Sequence, residues 1–264
     1  MDLGLRGRRA VVTGSTAGIG FATALALLRE GAEVVVNGRG QPRVEAAVKR
    51  LGAEVPGSRL RGVAADVGTA EGCRRLAEAV PEADVLVNNA GIFAPVPFER
   101  IADEEWMRFY EVNVLSGVRL SRSYLPGMRA RGWGRIVFVS SESALQIPVE
   151  MIHYGASKTA QLAVARGLAE SLTGTGVTVN SVLPGPTLSE GVGAFVADLA
   201  RAQGVDRGTV EQEFFEKARP SSILKRFATP EEVAAMIAFV CSAQASATTG
   251  AALRVDGGVV RAVA

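Results

Sequence analysis

Residues 8–28 read RRAVVTGSTAGIGFATALALL. A short apolar run meets a turn holding Gly14, Gly18 and Gly20, and a stretch rich in alanine and leucine follows at once. Glycines in such a turn let backbone approach a pyrophosphate, and the helix that follows offers unpaired N–H groups and the positive end of its dipole. The glycine spacing alone is a weak signal; its position between a strand and a helix makes it a dinucleotide fingerprint. Outward from this unit, apolar β-branched runs alternate with amphipathic stretches: AEVVVNGR, PRVEAAVKRLG, RLRGVAADV, TAEGCRRLAEAV, ADVLVNNAG, a helical region near 103–130, GRIVFVSS, ASKTAQLAVARGLAESL and GVTVNSVLPG. Strands apolar on both faces, separated by helices, predict an α/β fold: a Rossmann-type, doubly wound parallel sheet with helices on each side. No linker or composition shift divides the chain, so residues 1–264 read as a single domain. Residues 186–226 interrupt the alternation with FVADLARAQ, VEQEFFEKA and PSS. An interruption longer than about 15 residues in a compact domain is usually functional, and this one is the expected substrate lid.

The second strand bears on which dinucleotide binds. A carboxylate near the end of that strand takes the ribose hydroxyls of NAD, and a basic residue suits the 2′-phosphate of NADP. Here the strand ends VVVNGRG, with Gly38 and Arg39 where the acid would stand. NADP(H) is therefore the expected coenzyme, with NAD(H) as the alternative, and an acid at position 38 would reverse the preference.

Composition narrows the partners. Among 264 residues, 48% are hydrophobic and 21% charged, enough for a substantial core. The 29 basic and 27 acidic residues leave a formal charge of +2, which argues against nucleic acid or an anionic membrane as partner. No apolar run reaches spanning length, and no signal-peptide pattern opens the chain, so a cytoplasmic protein acting on small molecules is expected. Cys73 and Cys241 have neither ligand spacing nor a disulfide framework, and no metal is expected.

At 153–158 the chain reads HYGASK. On a helix Tyr154 and Lys158 share a face, so phenol and ammonium can reach one reacting atom. Lysine occurs at four positions only, 49, 158, 217 and 225, so Lys158 is a minority choice in an arginine-rich chain. Its charge should lower the pKa of Tyr154 by favouring tyrosinate. His153, the sole histidine, is turned about 100° away at ~3.6 residues per turn and reads as structural. Glu142 follows Ser141; on a strand it would face the other way, as a cap or ion-pair partner. Met128, Trp133 and Phe138 read as core or interface.

Taken in order, these motifs resemble the short-chain dehydrogenase/reductase family over essentially the whole chain. They are TGSTAGIG at 13–20, Asp66 in AADV, NNAG at 88–91, Asn113 in VNV, Ser141 closing IVFVSS, YGASK at 154–158, PG at 184–185 and VDGG at 255–258. The resemblance implies a catalytic tetrad of Asn113, Ser141, Tyr154 and Lys158. Ser141, and not Ser140, stands 13 residues before Tyr154, the family's usual spacing. Tyr154 would exchange the proton, Ser141 would hydrogen-bond the substrate oxygen, Lys158 would hold the nicotinamide ribose, and Asn113 would keep a water near Lys158. Cofactor contacts are implied for Gly14, Ser15, Thr16, Gly18, Ile19, Gly20, Arg39, Asp66, Val67, Asn89, Ala90, Gly91, Tyr154, Lys158, Pro184, Gly185 and Thr187. Two departures stand out. Ala17 occupies a place where many NADP-using members carry a cation, which leaves the phosphate to Arg39 with Ser15 and Thr16. The continuation PGPTLS puts Ser189 where a threonine is usual.

The reaction so implied interconverts a ketone and a secondary alcohol, with NADPH-dependent reduction favoured and 3-oxoacyl thioesters among the candidates. Ser141, Gln146, Met151, Tyr154 and Pro186 would bound the substrate pocket. An NAD-dependent alcohol or sugar dehydrogenase is the alternative; a dinucleotide sensor without turnover would be expected to have lost the tetrad. Two long helical segments, near 103–130 and 155–173, and the family's habit of pairing them imply a homotetramer.

Overall fold

Valine-rich runs supply strands whose alternate side chains divide between two cores. The structure is a computed structural model that describes residues 2–263, apart from the Phe195 side chain. Its strands are β1 (Arg9–Val12), β2 (Glu33–Gly38), β3 (Leu60–Ala64), β4 (Val85–Asn88), β5 (Gly134–Val139), β6 (Val177–Pro184) and β7 (Ala252–Val255). They form one seven-stranded sheet in the order β3-β2-β1-β4-β5-β6-β7, every pair parallel. The helices are α1 (Gly18–Arg29), α2 (Gln41–Glu54), α3 (Ala70–Ala79), α4 (Asp103–Tyr110), α5 (Ser116–Ala130), α6 (Ile152–Glu170), α7 (Glu190–Gln203), α8 (Arg207–Glu213) and α9 (Pro230–Cys241).

Val12, Val34, Val36, Val85 and Val87 face a core closed by Leu27 and Leu28 of α1 and Val233 and Ile237 of α9. Val11, Val35, Leu86, Ile136 and Phe138 face the opposite core, closed by Leu76 of α3, Leu120 and Met128 of α5 and Ala165 of α6. The period-2 alternation of a strand gives this two-sided burial, as the doubly wound reading requires. Met128 and Phe138 are core; Trp133 is partly buried and carries the guanidinium groups of Arg8 and Arg135 on its ring.

The strand order reverses at β1, which pairs with β2 on one side and β4 on the other. A crevice opens at the carboxyl ends of the strands at such a switch point. The alternation read from sequence stops at β6. The structure adds α9, opened by a Thr229–Glu232 capping box, and the short edge strand β7.

Residues 186–226 are mostly helical. They hold α7, α8 and a π-helical turn at Phe214–Ala218. Val196, Ala200, Val210 and Phe215 build a small core of their own with Phe227. Ser189 caps α7, and Asp206 caps α8 through the Thr209 N–H at 3.0 Å. Among the described residues no helix is long and apolar enough to cross a membrane. Nor does any group of three or more His, Cys, Asp or Glu side chains there stand close enough to hold a metal.

Candidate active site

Above the switch point lies a cleft of about 690 Å³, whose lining includes Gly14, Thr16, Arg39, Asp66, Val67, Ala90 and Gly91. Gly14 has φ +61°, and a Cβ there would stand 3.0 Å from the Ala90 Cα. At Gly20 a Cβ would come within 2.5 Å of both Asn89 Nδ2 and the Gly14 carbonyl oxygen, so only glycine lets α1 pack close beneath the turn. Ala17, the N-cap of α1, offers no capping side chain. A backbone cradle with no side chain in it, beside an uncapped helix start, fits a dinucleotide pyrophosphate.

Some of the expected cofactor residues build the cradle without facing the cleft. Ser15 is fully buried: its hydroxyl donates to the Val12 carbonyl at 2.6 Å and accepts from the Asn37 N–H at 3.0 Å. Ser15 therefore has no free hydroxyl for a phosphate. The Asn89 amide donates to the carbonyls of Thr13 and Gly14 at 2.9 and 3.1 Å, pinning the turn to β4. Ile19 packs against the core below. Gly18, at φ +55°, lies under the root of the 186–226 segment, where an added Cβ would be 3.1 Å from Ser189 Cβ. Gly185 donates its N–H to Val255 at 3.0 Å, and a Cβ there would strike Asp256 at 2.6 Å, so PG at 184–185 is locked against VDGG. Thr187 is nearly buried and spends its hydroxyl on the Gly185 carbonyl at 2.9 Å.

At the far end of the cleft, Arg39 is exposed and is joined on the lining by Arg43, from the first turn of α2. Arg29 and Arg50 are paired with Glu54 and Glu190, whereas Arg39 and Arg43 form no ion pair among the described residues. Arg43 was missed in the sequence, although Pro42 opens its helix and side chains of a first turn lean back toward the helix start. Asp66 accepts from the Gly68 N–H through Oδ1 at 3.1 Å, which leaves Oδ2 for an adenine amino group. An acid at position 38 is not a simple exchange: Gly38 is buried, and its Cβ would meet Thr16 Cγ2 at 2.6 Å.

The reacting end is built on α6 and on the turn after β5. Tyr154 and Lys158 lie one helical turn apart, with Lys158 Nζ 5.7 Å from the centre of the tyrosine ring. Lys158 is buried and donates to the Val139 carbonyl at the end of β5, at 2.9 Å. A Cβ on Gly91 would stand 3.5 Å from Nζ, so this glycine keeps the amine open to the cleft. Gly155 lets α6 press against the turn, for a Cβ there would be 3.0 Å from the Ser143 carbonyl oxygen. Ser140 donates to the Lys158 carbonyl at 2.9 Å and so serves the helix, whereas Ser141 is the N-cap of the next turn.

Asn113 lies in a π-helical turn, Glu111–Leu115, between α4 and α5. Such turns often mark functional positions. Its side chain accepts from the Ile92 N–H at 2.8 Å and donates to the Ile92 carbonyl and to Ser157 Oγ at 3.1 and 2.9 Å. Its backbone carbonyl accepts from Gln161 Nε2 at 2.6 Å. Asn113 thus ties the loop after β4 to α6. His153 faces away from Tyr154 into the aromatic rings of Phe109 and Trp106, at 4.0 and 6.0 Å, and burial lowers its pKa.

Glu142 does not face away from Ser141. β5 ends at Val139, the chain turns into a 3-10 helix at Glu142–Ala144, and strand alternation no longer applies. The Ser141 hydroxyl donates to Glu142 Oε2 at 2.5 Å and accepts from the Ser143 N–H at 3.1 Å. The other carboxylate oxygen accepts from Arg219 Nε at 3.2 Å, and Arg219 also bridges to Glu150 at 3.1 Å. The ion-pair reading of Glu142 therefore holds, directly beside Ser141. Arg219 comes from the 186–226 segment, and nothing local in the sequence marks it. Gln146 reaches the same segment through Ser221 at 3.2 Å. Met151 is half-buried at the start of α6, and the Pro186 carbonyl accepts from the Ala228 N–H at 2.9 Å.

Burial governs the electrostatics. It pulls the Lys158 amine down to about 7. Burial first and the Glu142 charge second push the Tyr154 phenol above its ordinary value, against the opposing effects of Ser141 and Arg219. The lowering of the tyrosine expected from Lys158 is thus outweighed, because Lys158 is itself buried and turned to Val139. Cys73 and Cys241 are free, buried thiols, raised to about 11 and about 12 by desolvation.

Comparison with known proteins agrees with this architecture. A family model described as short chain dehydrogenase matches residues 8–200. The uncharacterized oxidoreductase YvaG of Bacillus subtilis (strain 168) is 48% identical over 263 residues, with 100% of both chains covered. A D-beta-hydroxybutyrate dehydrogenase of Cupriavidus necator is 34% identical over 260 residues, covering 97% of this chain and 99% of its own. The L-sorbose reductase of Gluconobacter frateurii, solved with NADPH and L-sorbose, superposes with a TM-score of 0.95 at 36% identity, with 100% of both chains covered. With fold, cradle and tyrosine–lysine pair in one arrangement, the chain belongs to the short-chain dehydrogenases, oxidoreductases that interconvert carbonyl and alcohol groups with a nicotinamide cofactor.

Proposed function

We propose that this enzyme is an NADP(H)-preferring carbonyl reductase that turns a ketone into a secondary alcohol. The observation that carries the reading is the end of β2, where Gly38 and Arg39 replace a carboxylate and Arg43 adds a second exposed guanidinium to the same cleft. Guanidinium groups bind a phosphate through charge-assisted, bidentate hydrogen bonds.

When bound, the coenzyme supplies or accepts the hydride. The rest falls to the chain's own residues. Thr16, Arg39 and Arg43 hold the phosphate of the adenosine ribose, and Asp66 and Val67 flank the adenine. Gly14, Gly18 and the start of α1 receive the pyrophosphate. Lys158, reached past Gly91, gives one N–H to Val139 and turns its remaining donor capacity, one N–H as the amine and two as the ammonium, to the nicotinamide ribose. Tyr154, kept protonated through neutral pH, delivers its proton to the carbonyl oxygen as negative charge grows there. Ser141 donates to the same oxygen. Asn113 fixes the spacing between Gly91 and α6 through Ile92 and Ser157.

Residues 186–226 act as the substrate lid, with Arg219 and Pro186 on the substrate side and Ser189 beside the phosphate turn. Gln146 and Met151 border the same pocket from the turn after β5. The working unit is a homotetramer, supported by the exposed Met107 and Tyr110 on α4, and the two free thiols favour a cytoplasmic setting. The test is a pair of dissociation constants, for NADPH and NADH at one salt concentration, with turnover against a panel of ketones. Tighter NADPH binding with ketone reduction is expected; equal affinities would overturn the coenzyme assignment.

A further inference from the structure

The Ser141 hydroxyl has one proton, and two acceptors need it. It is given to Glu142 Oε2 at 2.5 Å, while Oγ itself accepts from the Ser143 N–H. For Ser141 to donate to a substrate carbonyl, the hydroxyl must turn away from Glu142. The carboxylate it leaves belongs to a residue about 5% exposed, and its second oxygen is already engaged by Arg219. A buried carboxylate oxygen stripped of its donor carries a desolvation cost, so an apolar ketone would bind against that penalty.

A hydroxyl on the carbon next to the carbonyl removes the penalty. It lies about one hydrogen-bond length from the carbonyl oxygen, and Glu142 Oε2 lies at a comparable distance from Ser141 Oγ. Such a hydroxyl can donate to Oε2 as the Ser141 hydroxyl swings to the substrate. Charge points the same way. Arg219 stands between two carboxylates, Glu142 and Glu150, so the trio keeps a net negative charge that disfavours a substrate carboxylate.

Resting on the reductase reading above, we infer that Glu142 selects an uncharged ketone bearing a hydroxyl beside the carbonyl, as in a ketose or another polyhydroxy ketone. Glu142 thereby determines specificity and also positions Ser141, and Arg219 holds it in place from the 186–226 segment.

The probes are hydroxyacetone, its isostere 2-butanone, and acetoacetate, each assayed with NADPH. The wild-type enzyme is expected to favour hydroxyacetone over 2-butanone roughly tenfold to a hundredfold in kcat/KM, the span of one hydrogen bond to a buried charge. Acetoacetate should be the poorest of the three. Hydroxyacetone is also the intrinsically more reactive ketone, so the ratio is measured again in Glu142→Gln and Arg219→Met. Collapse of the preference in Glu142→Gln, with 2-butanone losing less than hydroxyacetone, supports the assignment. Equal wild-type efficiencies, or acetoacetate as the best substrate, overturn it whether or not either variant folds. So does a ratio unchanged in a folded Glu142→Gln. In all three cases ketone reduction itself remains, which separates this failure from failure of the reductase reading, where none of the ketones would turn over.

Discussion

Tyr154 and Lys158 sit one turn apart on α6 with opposite electrostatic assignments. Burial and Glu142 keep the phenol protonated, and burial alone strips charge from the amine near neutrality. Tyr154→Phe should leave NADPH affinity in place while lowering turnover by ~10² to 10⁴, the usual cost of losing general acid–base catalysis. Fluorescence titration of coenzyme and steady-state rates check the two halves, and wild-type turnover would remove Tyr154 from the mechanism. Lys158 makes a second test possible through stability. Its folded pKa is about 7 against an ordinary 10.5, so above pH 7 the unfolded chain binds more protons than the native one. Stability should therefore rise as pH goes from about 7 toward 9. Beyond that the buried thiols oppose it, since their raised values make the native state hold the extra proton. Urea midpoints of coenzyme-free wild type and Lys158→Met across this range should diverge, the wild type gaining and the variant remaining flat. Parallel curves would mean that Lys158 is solvated or paired in solution. At this scale the sequence named the serine, tyrosine and lysine, because their spacing is local. The Ser141–Glu142 bond was hidden, because it depends on a 3-10 turn that strand periodicity does not foresee.

On the proposed function, the end of β2 and the first turn of α2 act together on the coenzyme, for Arg39 and Arg43 line one cleft. Arg39 sits in the loop and Arg43 four residues on, both exposed. Arg39→Ala and Arg43→Ala should each cut the NADPH-over-NADH preference by roughly tenfold, since each removes one charge-assisted contact. The double variant should lose nearly all of it, and the effect should shrink in high salt because exposed contacts are screened. Dissociation constants at two ionic strengths test this; a ratio that ignores both substitutions would reassign phosphate binding. A carboxylate at position 38 should fail to confer NADH preference unless Thr16 is trimmed too, given the 2.6 Å approach of a Cβ to Thr16 Cγ2. Elements with strong period-2 or helical patterns were readable from the chain. β7 was not, being four residues at a sheet edge; α9 carries a readable signal in its threonine-proline-glutamate opening, outside the alternation of apolar runs. Arg219 had no local mark, for its role arises when a segment 77 residues away in sequence folds back on Glu142.

At the level of the whole molecule, the parallel sheet, the switch point and the placement of the cleft were legible from the alternation of apolar runs, since that pattern admits few arrangements. Met107 and Tyr110 are exposed on α4, and the homotetramer proposed above would cover them. Light scattering at micromolar concentration should give four times the 27.5 kDa chain mass, and a monomer would contradict it. The cleft and the 186–226 segment meet where Ser189 rests over Gly18. With the 186–226 segment acting as the lid proposed above, that contact predicts a sequence of events for each turnover. A dinucleotide must reach the glycine turn before the segment settles over it, and it can leave only after the segment lifts. On the proposed substrate pocket, substrate then joins second and its product departs first. Initial-rate patterns should therefore be those of a compulsory order, with NADP⁺ competitive against NADPH and the alcohol product competitive against neither substrate.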